Sequence, residues 1–235
     1  MSLYPIDRRL LSVASFVRAG AVLADIGTDH GYLPVFLLSE GRIERAVLTD
    51  INEMPLASAR SNVAAAGLSD RVELVLTDGA DALSDRGITD FCVCGMGGEL
   101  IADIVLRADA MRHADVRVIL QPMSRQSHLR RELYRGGFVI LDERYSHADG
   151  KYYVCMLAEF CGTPCEISPL DAELGFAPWR DEDREARLGY LGQKLRGHRR
   201  ALEGRLKGGE KDSELALLCE GIEREIKLHE ERSSI

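Results

Sequence analysis

At 235 residues with 46% apolar content, the chain suits one large domain, or one of roughly 160 residues with an appendage. A formal net charge of −8 excludes a protein that coats nucleic acid indiscriminately, while leaving room for a local basic face. No run reaches the roughly 18 uncharged apolar residues of a membrane helix. The first residues also lack the basic-then-apolar order of a signal peptide, so a cytoplasmic protein with no membrane partner is expected.

In chain order, residues 6–18 carry a helical pattern through Leu10, Leu11, Ala14 and Val17. A strand over 22–26 precedes a helix over 32–40, and a strand over 46–50 precedes a helix over 54–66. That second helix has Pro55 in its first turn and stops at Gly67. Strands follow over 72–76 and 90–94, then a helix over 98–108 after a glycine cluster. A further strand over 116–120 is closed by Pro122, and a helix over 125–135 ends at Gly136-Gly137. Two strands, 138–144 and 152–160, flank the turn-forming His147-Ala148-Asp149-Gly150. Cys92 and Cys94 alternate on one strand and read as core side chains. Cys161 and Cys165 have no second Cys/His pair at zinc spacing, so no metal site is expected.

From about 164 the character changes. Pro164, Pro169 and Pro178 mark a linker, and two helical segments then surround Lys207–Asp212. Leu188, Leu191, Leu195, Leu202 and Leu206 form a stripe on the first, and Leu215, Leu218, Ile222 and Ile226 on the second. The expectation is a helical hairpin resembling a short antiparallel coiled coil. Gly189, Gly192, Gly197 and Gly204 oppose it, each costing about 1 kcal/mol relative to alanine, so tertiary support or a bend is required. Two domains are expected, 1–163 and 164–235.

Five strand–helix units predict a parallel sheet covered on both faces, and the terminal pair predicts an antiparallel hairpin at its edge. That plan resembles the Rossmann-like, mostly parallel seven-stranded sheet of class I methyltransferases. In Val22–Pro34 a buried strand ends in Asp25, turns at Gly27 and Gly31, and enters a helix, which brings backbone amides against a ligand. Asp50 and Asp78 end the next two strands. Each acid alone reads as a turn former or cap, but three at consecutive strand ends read as a nucleoside site, with Asp50 at the ribose and Asp78 at the adenine amine. Asp29 and His30 crowd the turn a diphosphate would need, which favours S-adenosylmethionine over a dinucleotide. The cofactor-binding set is Asp25, Gly27, Thr28, Gly31, Asp50, Ile51, Asp78, Gly79, Gly95, Met96 and Gly97. Gly95-Met96-Gly97-Gly98 lacks the Asn/Asp-Pro-Pro-aromatic segment that clamps exocyclic amines, which points to a ring nitrogen as acceptor.

Asp25–Pro34, Gly95–Gly98, Leu120-Gln121-Pro122 and Gly150-Lys151-Tyr152-Tyr153 together resemble the bacterial tRNA adenine-22 N1-methyltransferases, the TrmK family. The likeness runs in order from about Arg9 to Phe160. Met123 stands where many members have Asn, and the tail helix is richer in glycine. The resemblance implies an enzyme that uses S-adenosyl-L-methionine to methylate N1 of one adenine in tRNA; a monomer is expected.

Adenine N1 is unprotonated near neutral pH, so positioning does most of the work. The product is cationic, and a carboxylate beside it stabilises the developing charge. Asp29 is the candidate, with helix capping as its alternative role. His30 orients Asp29 or contacts the base, and Tyr32 stacks on the extruded adenine or sits in the core. Gln121, Pro122, Lys151 and Tyr153 are expected at the base edge or pocket mouth. Residues 187–207 hold seven Lys/Arg and one acid, and Arg196, Arg199, Arg200 and Lys207 share the side away from the leucine stripe, a candidate tRNA surface. Competing readings are a methyltransferase for another RNA position, a nicotinamide-dependent oxidoreductase and a cofactor-free RNA-binding module.

Overall fold

The computed structural model describes residues 6–80 and 82–231. The elements are α1 (Arg8–Phe16), β1 (Ala21–Ile26), α2 (Tyr32–Ser39), β2 (Ile43–Asp50), α3 (Glu53–Ala65), β3 (Val72–Leu76), β4 (Asp90–Gly97) and α4 (Gly98–Arg107). They continue as β5 (Arg117–Ser124), α5 (Gln126–Arg135), β6 (Phe138–Ala148), β7 (Lys151–Phe160), α6 (Pro169–Leu174), α7 (Arg184–Lys207) and α8 (Ser213–Glu231). One sheet has the order β3-β2-β1-β4-β5-β7-β6, and β7 alone runs antiparallel to its neighbours. The expected seven-stranded class I methyltransferase plan is therefore what the chain forms. Buried apolar clusters lie on both faces of the sheet, one gathering α1, α2 and α3, the other α4, α5, α7 and α8.

Three expectations need correction. The β3–β4 connection contains no helix among its described residues, so that strand–helix unit is missing. Pro122 does not close β5, which runs on to Ser124. It stands opposite Met96, where the β4–β5 ladder slips register, the kind of irregularity at which a missing N–H is tolerated. Pro169 opens α6 rather than a linker: it sits in the first turn, and the Ser168 hydroxyl accepts the Asp171 amide at 3.0 Å.

The tail is anchored through buried charge. Arg130 of α5 and Glu143 of β6 are fully buried and paired at 2.7 Å, and Arg130 also donates to the Ala172 carbonyl. Gly175, at φ +76°, is held there because a Cβ would run into the Glu143 carboxylate. Arg187 of α7 lies over Trp179 and Tyr145 at 4.4 and 5.0 Å, and Trp179 stacks on His229 of α8 at 3.7 Å. The α7–α8 pair is antiparallel, with Arg184 reaching the His229 carbonyl and Arg199 pairing with Glu223. Its leucine stripe is only partly used: Leu191 and Leu195 are buried in the same cluster as Val93 and Leu120 of the sheet, whereas Leu206 near the turn is 53% exposed. The pair is thus a hairpin rooted in the sheet's core rather than a freestanding coiled coil. Gly189 supports that docking, since a Cβ there would strike the Tyr152 ring.

Candidate active site

The C-terminal ends of β1, β2, β3 and β4 lie along one edge of the sheet, where two adjoining cavities open. The larger, about 480 Å³, is lined by Asp7, Arg9 and Leu10, by Asp25 with the turn Gly27–Leu33, and by Cys94-Gly95-Met96. The smaller, about 220 Å³, is lined by Thr49–Asn52, Thr77–Gly79, Leu100 and Ile104. Gly27 and Met96 line both. Gly27 has φ +71°, a conformation that favours glycine, and Met96 Cε occupies the place a Cβ would take.

Asp25 sits at the back of the larger cavity, only 9% exposed, accepting the Thr28 hydroxyl at 2.7 Å. Burial pushes its carboxyl up to about 6, against the pull of the Thr28 hydrogen bond. At the mouth, Asp29 is exposed and its Oδ2 lies 3.3 Å from His30 Nε2. His30 Nδ1 meets the Ser58 hydroxyl at 2.6 Å, and its ring stacks on Tyr32 at 5.1 Å. Helix α2 is capped by Gly31 with no side-chain hydrogen bond, so Asp29 is not its cap. Tyr32 is 39% exposed, which sets aside its reading as a core residue. The cavity thus carries the carboxylates of Asp7, Asp25 and Asp29 against one guanidinium, Arg9, an acidic balance suited to a cationic ligand.

In the smaller cavity Asp50 accepts the Asn52 amide at 2.8 Å through Oδ1, leaving Oδ2 for a ligand hydroxyl. Asp78 is paired with Arg107 of α4. Ile51 and Leu100 are 65% and 53% exposed, apolar surfaces that a planar base would cover. Gly97, expected at the cofactor, instead precedes α4 as its cap residue and lines neither cavity.

Residues 6–156 match the family model of a methyltransferase domain. The chain is 33% identical over 154 residues to the tRNA (adenine(22)-N(1))-methyltransferase of Bacillus subtilis (strain 168), covering 66% of this chain and 65% of that protein. The structure of Streptococcus pneumoniae Sp1610, a candidate tRNA (m1A22) methyltransferase, in complex with S-adenosyl-L-methionine matches with TM-score 0.79 and 32% identity. That match covers 94% of this chain and 99% of the other. The chain belongs to the TrmK family. The structure of B. subtilis TrmK itself matches at TM-score 0.73 and 26% identity over 97% of this chain and 98% of that one. These matches overturn the oxidoreductase and cofactor-free readings.

Within this TrmK-family chain, the expected substrate residues lie in different settings. Gln121 and Pro122 are buried and line neither cavity. Gln121 Oε1 instead accepts Arg9 Nη1 at 2.7 Å, and the Arg9 guanidinium lies 5.9 Å over the Tyr153 ring. Lys151 is exposed at the β6–β7 turn and lines neither cavity. Arg196, Arg200 and Lys207 are exposed, but Arg199 is turned to Glu223 at 2.6 Å and helps close the hairpin. Sequence reading missed Asp7, Arg9 and Leu10, because nothing local says that α1 reaches the end of β1. It also missed Leu100 and Ile104, whose spacing of four beyond the glycine cluster was the available signal.

Proposed function

We propose that the chain transfers the methyl group of S-adenosyl-L-methionine to N1 of adenine-22 in tRNA, the activity named for its B. subtilis relative. The observation that carries this is the juxtaposition, in one acidic cavity, of buried Asp25 and half-buried Arg9 with exposed Asp29 and the His30–Tyr32 ledge. The residues fit the cofactor. Asp25 would take its ammonium, Arg9 its carboxylate, Asp50 its ribose hydroxyls, and Ile51 and Leu100 the faces of its adenine. When bound, it supplies a sulfonium methyl, whose C–S bond breaks as the bond to adenine N1 forms.

The protein's share is geometric and electrostatic. Tyr32, braced by His30, offers a ring for the extruded base, whose removal from the stack costs a few kcal/mol. The unprotonated N1 needs no base; it needs alignment and a counter-charge as the ring becomes cationic. Asp29 provides that charge, and His30, fixed by Ser58, holds Asp29 in place. The region 164–235 serves as the tRNA-contacting appendage to the catalytic unit 1–163, through the exposed Arg196, Arg200 and Lys207. A direct test supplies labelled cofactor with an unmodified tRNA transcript and with the same transcript carrying guanine at position 22. Transfer to the first and none to the second is expected; equal transfer to both would move the reaction to another nucleotide.

A further inference from the structure

A separate cavity of about 250 Å³ opens between α7 and the junction of β5 with α5, lined by Met123, Gln126, Tyr152, Tyr190, Lys194 and His198 among others. It lies below the roughly 300–1,000 Å³ of pockets for drug-sized ligands, room enough for one planar group. Its lining is aromatic and polar together. Lys194 Nζ lies 5.5 Å from the Tyr190 ring and donates to Gln126 Oε1 at 2.7 Å. Tyr190 is 2% exposed, and among the described residues its buried hydroxyl has no hydrogen-bond partner. A buried hydroxyl left unpaired costs stability, and a ligand group that paired it would recover that cost.

The cavity is coupled to the active site. Met123 Sδ lies 3.6 Å from Gln121 Nε2, and the same Gln121 holds Arg9 in the methyl-transfer cavity. Tyr152 lines this cavity while its neighbour Tyr153 lies under Arg9. Lys194 is already opposed by a carboxylate: its Nζ lies 3.7 Å from buried Glu173, whose other oxygen lies 3.2 Å from His198 Nε2. A phosphate would find no free charge here; a neutral ring with hydrogen-bonding edges would find stacking surface and partners.

We propose that this cavity is a second nucleobase pocket, which takes a base of the same tRNA other than the one methylated and so registers the RNA over the reaction centre. The proposal rests on the RNA-methylating function above. It also accounts for Gly197, which lines the cavity and has nothing within 4 Å of where its Cβ would lie.

Gly197→Leu adds a side chain on the cavity lining at a position with nothing within 4 Å of its Cβ and improves helix propensity, and Tyr190→Phe removes the unpaired hydroxyl. For each, tRNA affinity is read by fluorescence anisotropy across a salt series, methyl transfer by labelled cofactor, and folding by Tm. The expected result for Gly197→Leu is a Tm no lower than wild type, unchanged cofactor affinity, and tRNA Kd and KM raised about tenfold, the scale of losing one stacked base. The slope of log Kd against log salt should match wild type, because no phosphate contact is lost. Tyr190→Phe should give a smaller rise in tRNA Kd in the same direction. Unchanged tRNA Kd for Gly197→Leu with an intact Tm would overturn the pocket, and a salt slope reduced by about one would overturn the base in favour of a phosphate. Wild-type protein that binds tRNA without methylating it would defeat the proposed activity, while the anisotropy arm still decides the pocket.

Discussion

A carboxylate with one hydroxyl for company, buried at the back of a ligand cavity, is a stability cost that the ligand relieves. Burial raises Asp25 from 3.8 to about 6, so the folded chain without cofactor holds that proton more tightly than the unfolded chain does. Its contribution is therefore fully present below pH 4 and lost as pH rises through about 6. Asp25→Asn should remove that loss, gaining about 3 kcal/mol at most at pH 7.5, and should weaken cofactor binding by more than about tenfold. Denaturation and calorimetric titration of the two proteins check both halves. Wild-type cofactor affinity should strengthen as pH rises through about 6 and the carboxylate ionises, and Asp25→Asn should lack that dependence. Asp29 belongs to the other side of the reaction. Asp29→Asn keeps the shape and removes the charge, so kcat should fall by about 10²-fold with cofactor Kd unchanged, as measured by single-turnover transfer.

At the level of elements, what was legible in sequence is what is locally encoded. The strand-to-helix turn at Gly27–Gly31 and the acids at the tips of β1, β2 and β3 could be placed because strand ends and glycine turns announce themselves in consecutive residues. The setting of Gln121 is not locally encoded. Its position at the end of β5 is visible in sequence, but its burial under Arg9 depends on α1 crossing from 112 residues away. The glycines of α7 looked like defects until Tyr152 was seen against Gly189 and a cavity against Gly197. Pro169 and Pro122 likewise gave breaks where the structure has a helix start and a ladder irregularity. The Arg130–Glu143 pair, invisible to any periodicity, ties α5, β6 and α6 together. Arg130→Ala leaves Glu143 buried and unpaired, so it should cost about 3–5 kcal/mol in urea unfolding, with the tail losing protection in hydrogen exchange.

For the whole molecule, the charge is segregated in a way the net −8 conceals. The cofactor end carries acids suited to a cationic ligand, and the exposed outer face of α7 carries Arg196, Arg200 and Lys207. Reversing those three to glutamate should weaken tRNA binding by at least about tenfold at low salt and flatten the salt dependence. Cofactor affinity should be untouched, since the substitutions lie on the solvent side of a helix whose opposite face joins the core.

The most direct test of the account is primer extension along an unmodified tRNA transcript after incubation with the protein and S-adenosyl-L-methionine. A methyl on N1 blocks base pairing, so the account requires a stop at adenine-22 that disappears with Asp29→Ala while that variant still binds cofactor. A stop at another adenine, or one at adenine-22 undiminished in Asp29→Ala, would contradict it.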